Sequence, residues 1–267
     1  MERFRETIEN SRKIVIKIGS NVLSDENGTV NKKVMHNIVE QVNDLMKMGK
    51  QVILVSSGAG ICGVGAINKW SRRGDMNYKQ ALCAIGQVEL MMAYKEYFWD
   101  YGTHVAQILL TGDDFSDPHR TLNIRNAMFT LIDEGVVPVI NENDSVSVDE
   151  IKIGDNDALA ASTTALWNAD LLIILSDIDG VFDKDPKANE DAQLITVVDN
   201  ADELTSKISV GGTSSFGTGG IKSKIDAASK VNKFGIPMLL LNGKKQNIIR
   251  DAMNADAKGT LFLGNIE

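Results

Sequence analysis

Apolar residues follow two alternating rhythms along this chain. KIVIKIG (13–19), QVILVSSG (51–58), HVAQILLTG (104–112), VVPVINEND (136–144), DLLIILSD (170–177) and IPMLLLNG (236–243) are short, nearly continuous Val/Ile/Leu runs. Runs of that length and composition predict strands buried on both faces. Between them lie helix-length amphipathic stretches. In 31–49, Val34, Ile38, Val42, Leu45 and Met46 recur at helical spacing, with Gly49 placed to end the helix. Further helices are predicted around 77–98, 121–134, from the Ala-rich stretch after residue 155, and over 220–234. Strand runs alternating with helices predict an α/β chain: a three-layer α/β/α sandwich with a mostly parallel central sheet. SVSVDEIKIG (145–154) alternates polar with apolar and reads as a short hairpin beside the sheet. GGTSSFGTGG (211–220) has linker composition, but a helix and a strand follow at once, so it reads as a loop within a single domain spanning 1–267.

Open parallel sheets bind ligands outside the carboxyl ends of their strands. Those ends here read KIGSN, SSGAGICGVG, INEND and LSDIDG, each rich in Gly, Ser, Asn or Asp. One cleft supplied from several strand ends is the expectation.

Composition narrows the classes. Of 267 residues, 43% are hydrophobic and 24% charged, which is ordinary globular composition. The net charge of −8 argues against a nucleic-acid surface. The longest apolar runs, such as ADLLIIL, fall far short of a bilayer span, and MERFRETIENSRK lacks a signal peptide's apolar core. A cytoplasmic location without membrane association is the expectation. Cys62 and Cys83 fit no metal-ligand spacing and read as buried small apolar residues. His36, His104 and His119 are scattered, leaving little for a zinc site or a Ser-His-Asp triad.

GAGICG (58–63) matches the dinucleotide pattern G-x-G-x-x-G, which also requires an acidic residue about 20 positions on, at the end of a strand. NYKQALCAIGQ occupies that region and looks helical, so a nicotinamide cofactor is rejected. A strand-to-helix turn able to hold an anion remains. No P-loop and no protein-kinase motif set is present. Lys17 alternates with Ile in a strand, so it should reach a polar cleft or lie at an edge. Lys224, taken alone, reads as an exposed lysine on the first turn of a helix. In GDNDALAAS (154–162), helix capping accounts for one of Asp155, Asn156 and Asp157. The other two belong either to a solvated loop or to a site.

In order along the chain, KIGSN, SSGA, INEND, IKIGDND, SDIDGVF and GTGGIKSK resemble the amino acid kinase family, over about residues 13–264. The resemblance is specific to members that phosphorylate the side-chain carboxylate of L-glutamate, because INEND is followed ten residues later by GDND. It implies the family's fold and an ATP-dependent kinase making γ-glutamyl phosphate and ADP, the first step of proline synthesis. A carboxylate nucleophile with a pKa of about 4.3 is already ionised and needs no general base. By resemblance, Lys17 and Lys224 neutralise the moving phosphoryl group from opposite sides, and Asp157 holds both. Asp144, Asp155 and Asn156 would bind the α-amino end, and Ser57, Gly58 and Ala59 the anionic part. Lys152 matches a lysine implicated in binding substrate and proline. Nucleotide contacts fall to Lys17, Gly19, Ser176, Asp177, Gly217, Thr218, Gly219, Gly220, Ile221, Lys222, Ser223 and Lys224. Ile221 replaces the family's usual Met, and Lys222 adds a charge there, changes that bear on nucleotide affinity. Residues 1–168 would form the substrate half and 169–267 the nucleotide half. Mg2+ is expected on the ATP phosphates, with no all-protein metal site. L-proline is expected as feedback inhibitor, and a homo-oligomer as the assembly. The helix around Leu90, Met91 and Met92 would lie at an interface or in the core. With no RNA-binding-like domain after KGTLFLG (258–264), a stand-alone kinase is expected. The rivals are sibling kinases acting on acetylglutamate, aspartate, carbamate or UMP, and a non-catalytic ligand sensor. The acidic amine-reading cluster opposes substrates without a free amine, and Lys17, Asp157 and Lys224 oppose a sensor.

Overall fold

Each of the six apolar runs becomes a strand in the computed structural model, which describes residues 2–25, 29–67, 75–147, 156–186, 188–204 and 220–264. They are β1 (Lys13–Ile18), β2 (Gln51–Ser56), β3 (Val105–Leu110), β4 (Val137–Glu142), β5 (Leu171–Ser176) and, near the end, β9 (Met238–Asn242). Four shorter strands were not foreseen: β6 (Val181–Phe182), β7 (Leu194–Ile195), β8 (Val197–Val198) and β10 (Gly259–Phe262). Eight strands form one sheet in the order β3-β4-β2-β1-β5-β9-β10-β8, while β6 and β7 pair separately. The pairings from β3 to β9 are all parallel, and β10 runs antiparallel to β9. The central strands β1 and β5 lie side by side, so the carboxyl ends of β2, β4, β1 and β5 open on one edge of the sheet.

Strand periodicity divides the core into two layers. Ile14, Ile16 and Ile18 of β1 join Leu171, Ile173 and Leu175 of β5 and Leu239 and Leu241 of β9 on one face. Val15, Leu172, Ile174 and Leu240 point the other way. The first face is covered by the Lys32–Lys47 and Met76–Trp99 helices. The second is covered by the Asp157–Trp167 and Gly220–Asn232 helices. The expected three-layer architecture is present. Helix-period reading of 31–49 also holds: Met35, Ile38, Val39, Val42 and Leu45 are buried, and Gly49 follows the helix at φ +80°. A helix over Glu2–Asn10, buried through Phe4 and Ile8, was not anticipated.

GAGICG has a packing role. It enters the Ala59–Ile67 helix, and the next described element is the Met76–Trp99 helix. A Cβ on Gly63 would lie 2.0 Å from the Leu82 carbonyl oxygen, and one on Gly86 would lie 1.8 Å from the Ala59 oxygen. The two glycines let these helices touch backbone to backbone. Most of the predicted hairpin falls outside the described residues, and its first residues, 145–147, lie in a turn.

Candidate active site

Period-two geometry puts Lys17 on the same face of β1 as Val15, beneath the helix that begins at Asp157. Lys17 Nζ lies 2.6 Å from Asp157 Oδ1. Lys224, one turn into the Gly220–Asn232 helix, places its Nζ 3.0 Å from Asp157 Oδ2. Ser223 donates its hydroxyl to the same oxygen at 2.9 Å. Lys17, Asp157 and Lys224 are only 2%, 0% and 7% exposed. Asp157 is the first residue of its helix, where the positive end of the dipole favours a carboxylate. Two ammonium groups share one carboxylate, so the three side chains sum to one positive charge in a dry setting. Burying such charges is expensive unless each finds its counter-charge, so their close pairing is what allows the cluster.

The neighbouring residue is arranged differently. Asn156 occupies the N-cap position, yet its side chain makes no capping bond among the described residues. The capping explanation for this stretch is therefore not the one adopted. Instead Asn156 Nδ2 donates to Asn141 Oδ1 at 2.7 Å. Asn156 Oδ1, Asp144 Oδ1 and Ser57 Oγ are buried with no hydrogen-bond partner among the described residues. These atoms come from the ends of β2 and β4 and the start of the Asp157–Trp167 helix. Burial, aided by the negative charge of Glu142, pushes the Asp144 carboxyl up to about 6, against the pull of a hydrogen bond from Cys83. Gly58 turns the chain from β2 into the Ala59–Ile67 helix at φ +111°, a conformation that favours glycine. Beneath it, Tyr94 and Ser56 share a buried 2.8 Å hydrogen bond, and Ser56 Oγ also donates to the Ser57 carbonyl at 2.9 Å.

At the end of β5, Ser176 Oγ lies 3.3 Å from Asp177 Oδ1, and Asn21 donates to the other Asp177 oxygen at 3.0 Å. Gly19 N–H donates to the Leu175 carbonyl at 3.1 Å, and a Cβ at this position would lie 3.8 Å from Lys17 Nζ. Ile221 is buried against the second core layer, whereas Lys222 is exposed. Gly220 opens its helix and accepts from Lys224 Nζ at 3.1 Å. Lys152, Asp155, Gly217, Thr218 and Gly219 lie outside the described residues.

The structure thus brings Lys17, Asp157 and Lys224 together and sets Asn156 next to β4. Reading Lys224 as an exposed lysine is overturned by its burial against Asp157. Cys62 is buried as foreseen, and burial pushes its thiol up to about 12. Cys83 is a correction: it is only partly buried, packing against the edge of the first core layer while its thiol bonds Asp144. Leu90 lies in the core, and Met92, on the same helix, is exposed. Sequence reasoning missed Asn141, although it stands inside the INEND stretch, and missed Gln87, which contacts it. The one available signal was an amide at a strand end. Among the described residues no three His, Cys, Asp or Glu side chains are grouped to hold a metal, and no helix is long and apolar enough to cross a membrane.

Comparison with known proteins gives the family and the fold. The sequence profile of the amino acid kinase family matches residues 12–242. Glutamate 5-kinase from Alkaliphilus metalliredigens is 61% identical over 257 residues, covering 96% of this chain and 97% of that protein. Glutamate 5-kinase from Alkaliphilus oremlandii is 57% identical over 97% of this chain and 98% of its own length. That of Geobacter metallireducens is 48% identical over 96% of this chain and 69% of its own length. Among solved structures, the UMP kinase of Ureaplasma parvum superposes with a TM-score of 0.66 at 19% identity, covering 95% of this chain and 99% of that one. Carbamate kinase from Giardia lamblia gives 0.65 at 15% identity, over 96% and 100% of the two chains. At those identities the structural likeness speaks for the fold alone.

Proposed function

This chain belongs to the amino acid kinase family, and from that premise we propose that it transfers the terminal phosphoryl group of ATP to the side-chain carboxylate of L-glutamate. The products are γ-glutamyl phosphate and ADP, in the first step of proline biosynthesis. The observation that carries the reading is the buried Lys17–Asp157–Lys224 cluster at the strand ends, in a chain 61% identical to a glutamate 5-kinase.

Phosphoryl transfer spreads negative charge over the moving group, and fixed positive charge in a dry site stabilises it most. Lys17 and Lys224 approach Asp157 from a strand and a helix, and they flank the transferred group from opposite sides. Asp157 fixes their positions before substrate arrives. The glutamate carboxylate attacks already ionised, so no proton need be removed. Asn156 and Asp144, with Asp155, take the α-ammonium, which supplies the donors that Asn156 Oδ1 and Asp144 Oδ1 await. Ser57, with the backbone at Gly58 and Ala59, holds the anionic part, and Lys152 adds a charge there. Gly19, Ser176, Asp177 and the 217–224 segment form the nucleotide side. Residues 1–168 thereby supply the substrate half and 169–267 the nucleotide half of one domain. The described residues do not fit a protein-held metal site. Magnesium in this reading arrives on the phosphates of ATP, and no step is assigned to it. The protein works in the cytoplasm as a homo-oligomer, with L-proline as inhibitor. The exposed stripe Ile85, Val88, Met92 and Trp99 supports an interface on the long helix.

The test is turnover with Mg-ATP and hydroxylamine, which traps acyl phosphates as hydroxamates. Hydroxamate from L-glutamate, with none from aspartate or acetylglutamate and no ADP release with UMP, is expected. Turnover of UMP or acetylglutamate in place of glutamate refutes the substrate, and silence with all of them restores the sensor.

A further inference from the structure

A row of side-chain amides runs from the candidate amine site into the long Met76–Trp99 helix. Asn156 Nδ2 donates to Asn141 Oδ1 at 2.7 Å. Asn141 Nδ2 donates to Gln87 Oε1 at 2.9 Å. Gln87 Nε2 donates to Gln107 Oε1, on β3, at 3.1 Å. An amide can be turned over in place, so the direction of such a row must be fixed by a group that cannot turn. The backbone N–H of Glu142 is that group, and it donates to Asn141 Oδ1 at 2.9 Å. A reversed Asn141 would point its NH2 at two donors and its carbonyl at the Gln87 carbonyl. The lock is therefore two-sided, with β4 on one side and Gln87 on the other. Its outcome is that the Asn156 NH2 is committed and Asn156 Oδ1, 1% exposed with its residue, is left as an acceptor with no partner among the described residues.

We propose that Gln87 is a positioning residue for amine recognition: by anchoring Asn141 in the polarity that the Glu142 N–H sets, it keeps Asn156 presenting an oxygen, and not an NH2, to the substrate's ammonium group. This rests on the glutamate reading above and says which residues enforce it. Two neighbours on the same helix face support the assignment. Gln80 and Cys83, seven and four residues before Gln87 on the helical repeat, both reach Asp144. Gln80 Nε2 donates to the Asp144 carbonyl at 3.0 Å, and the Cys83 thiol hydrogen-bonds its side chain. One stripe of one helix thus aligns both acceptors proposed for the amine. Without the Gln87 oxygen, Asn141 Nδ2 loses its buried partner, Asn141 is held by the Glu142 N–H alone, and its grip on the Asn156 amide loosens. A fixed acceptor then becomes an averaged donor and acceptor, which an ammonium group binds less well.

The experiment compares Gln87→Met, which keeps volume without the acceptor, with Gln87→Glu, which keeps it. L-glutamate and glutarate, the same diacid without the amine, serve as substrates in the hydroxamate assay. For Gln87→Met, KM for glutamate should rise about tenfold with KM for ATP within about twofold. Preference for glutamate over glutarate should shrink by the same factor, and Gln87→Glu should recover most of both. Unchanged glutamate KM in Gln87→Met overturns the proposal, as does an equal rise for glutamate and ATP. Should Gln87→Met not fold, Gln87→Glu decides: retained preference for the amine upholds the role, and lost preference overturns it. If the unaltered chain uses glutarate as readily as glutamate, the amine reading itself fails, and the role of Gln87 with it.

Discussion

Asp157 and Asn156 are consecutive in the chain, yet they stand in opposite kinds of environment. Asp157 is paired with positive charge on both sides: a lysine ammonium sits against each oxygen, and Ser223 donates to one of them. Asn156, with Asp144 and Ser57 nearby on the strand ends, keeps buried acceptor atoms with no partner among the described residues. A catalytic electrostatic site gains by being complete in advance, because nothing then has to reorganise as charge moves. A recognition site gains by being incomplete, because a ligand that supplies the missing donors is favoured over one that does not.

The sharpest way to break the comparison is to empty its closed side. Asp157→Asn leaves two buried lysines without a shared carboxylate, and turnover should fall by about a thousandfold or more. Circular dichroism and a cooperative but lower melting transition should show the fold retained, with the loss consistent with a broken buried ion pair. Near-normal turnover would mean Asp157 organises nothing.

Opening the recognition side should act on one substrate only. In Asp144→Asn, KM for glutamate should rise about tenfold or more while KM for ATP stays put. The Asp144 carboxyl is raised to about 6, so its anion is present above that pH and lost below it. For the unaltered chain, kcat/KM for glutamate should therefore fall as pH drops through about 6, by up to tenfold per unit. Asp144→Asn should be lower and flat over the same range. A limb that survives the substitution belongs to another group.

A smaller effect reaches the same side through packing. The methyl added in Gly86→Ala meets the Ala59 oxygen at 1.8 Å and must push the helix that carries Ala59. Thermal melting should drop by several degrees, corresponding to about 1–3 kcal/mol of overpacking, and glutamate KM should rise severalfold. The smallest effect is a control. Thr163 Oγ1 is also buried and unpartnered among the described residues, but lies on the second turn of the Asp157–Trp167 helix. Thr163→Val should leave both KM values unchanged and keep or slightly raise the melting temperature. Unchanged KM values would show that an unmet polar atom alone does not mark the ligand site, and an activity change would overturn Thr163 as a control.

Legibility followed how local each feature is. β1, β2, β5 and β9 announce themselves because a strand buried on both faces needs an unbroken apolar run. The two-residue strands β6, β7 and β8 carry no period at all, and β10, GTLF, is too short to separate from a chain end. The Glu2–Asn10 helix was hidden by its charges, since only Phe4 and Ile8 face the core. In the site, Lys17 was legible because a lysine inside an aliphatic strand demands a polar destination. Gln87 was not, because glutamine on a helix is ordinary until one knows what lies opposite it.

The sequence by itself determined the layered α/β architecture, the rejection of a nicotinamide site at GAGICG, and the candidate residues at the strand ends. These follow from short-range periodicity and from residue types that are costly to bury without a purpose. Only the tertiary structure decided the strand order, the contact distances and burial with which both lysines meet Asp157, and the direction of the amide row from Gln87 to Asn156. Those contacts join residues 15 to 140 positions apart, and a hydrogen bond's direction depends on the partner across the gap. No local pattern can carry that information; the packed backbone supplies it.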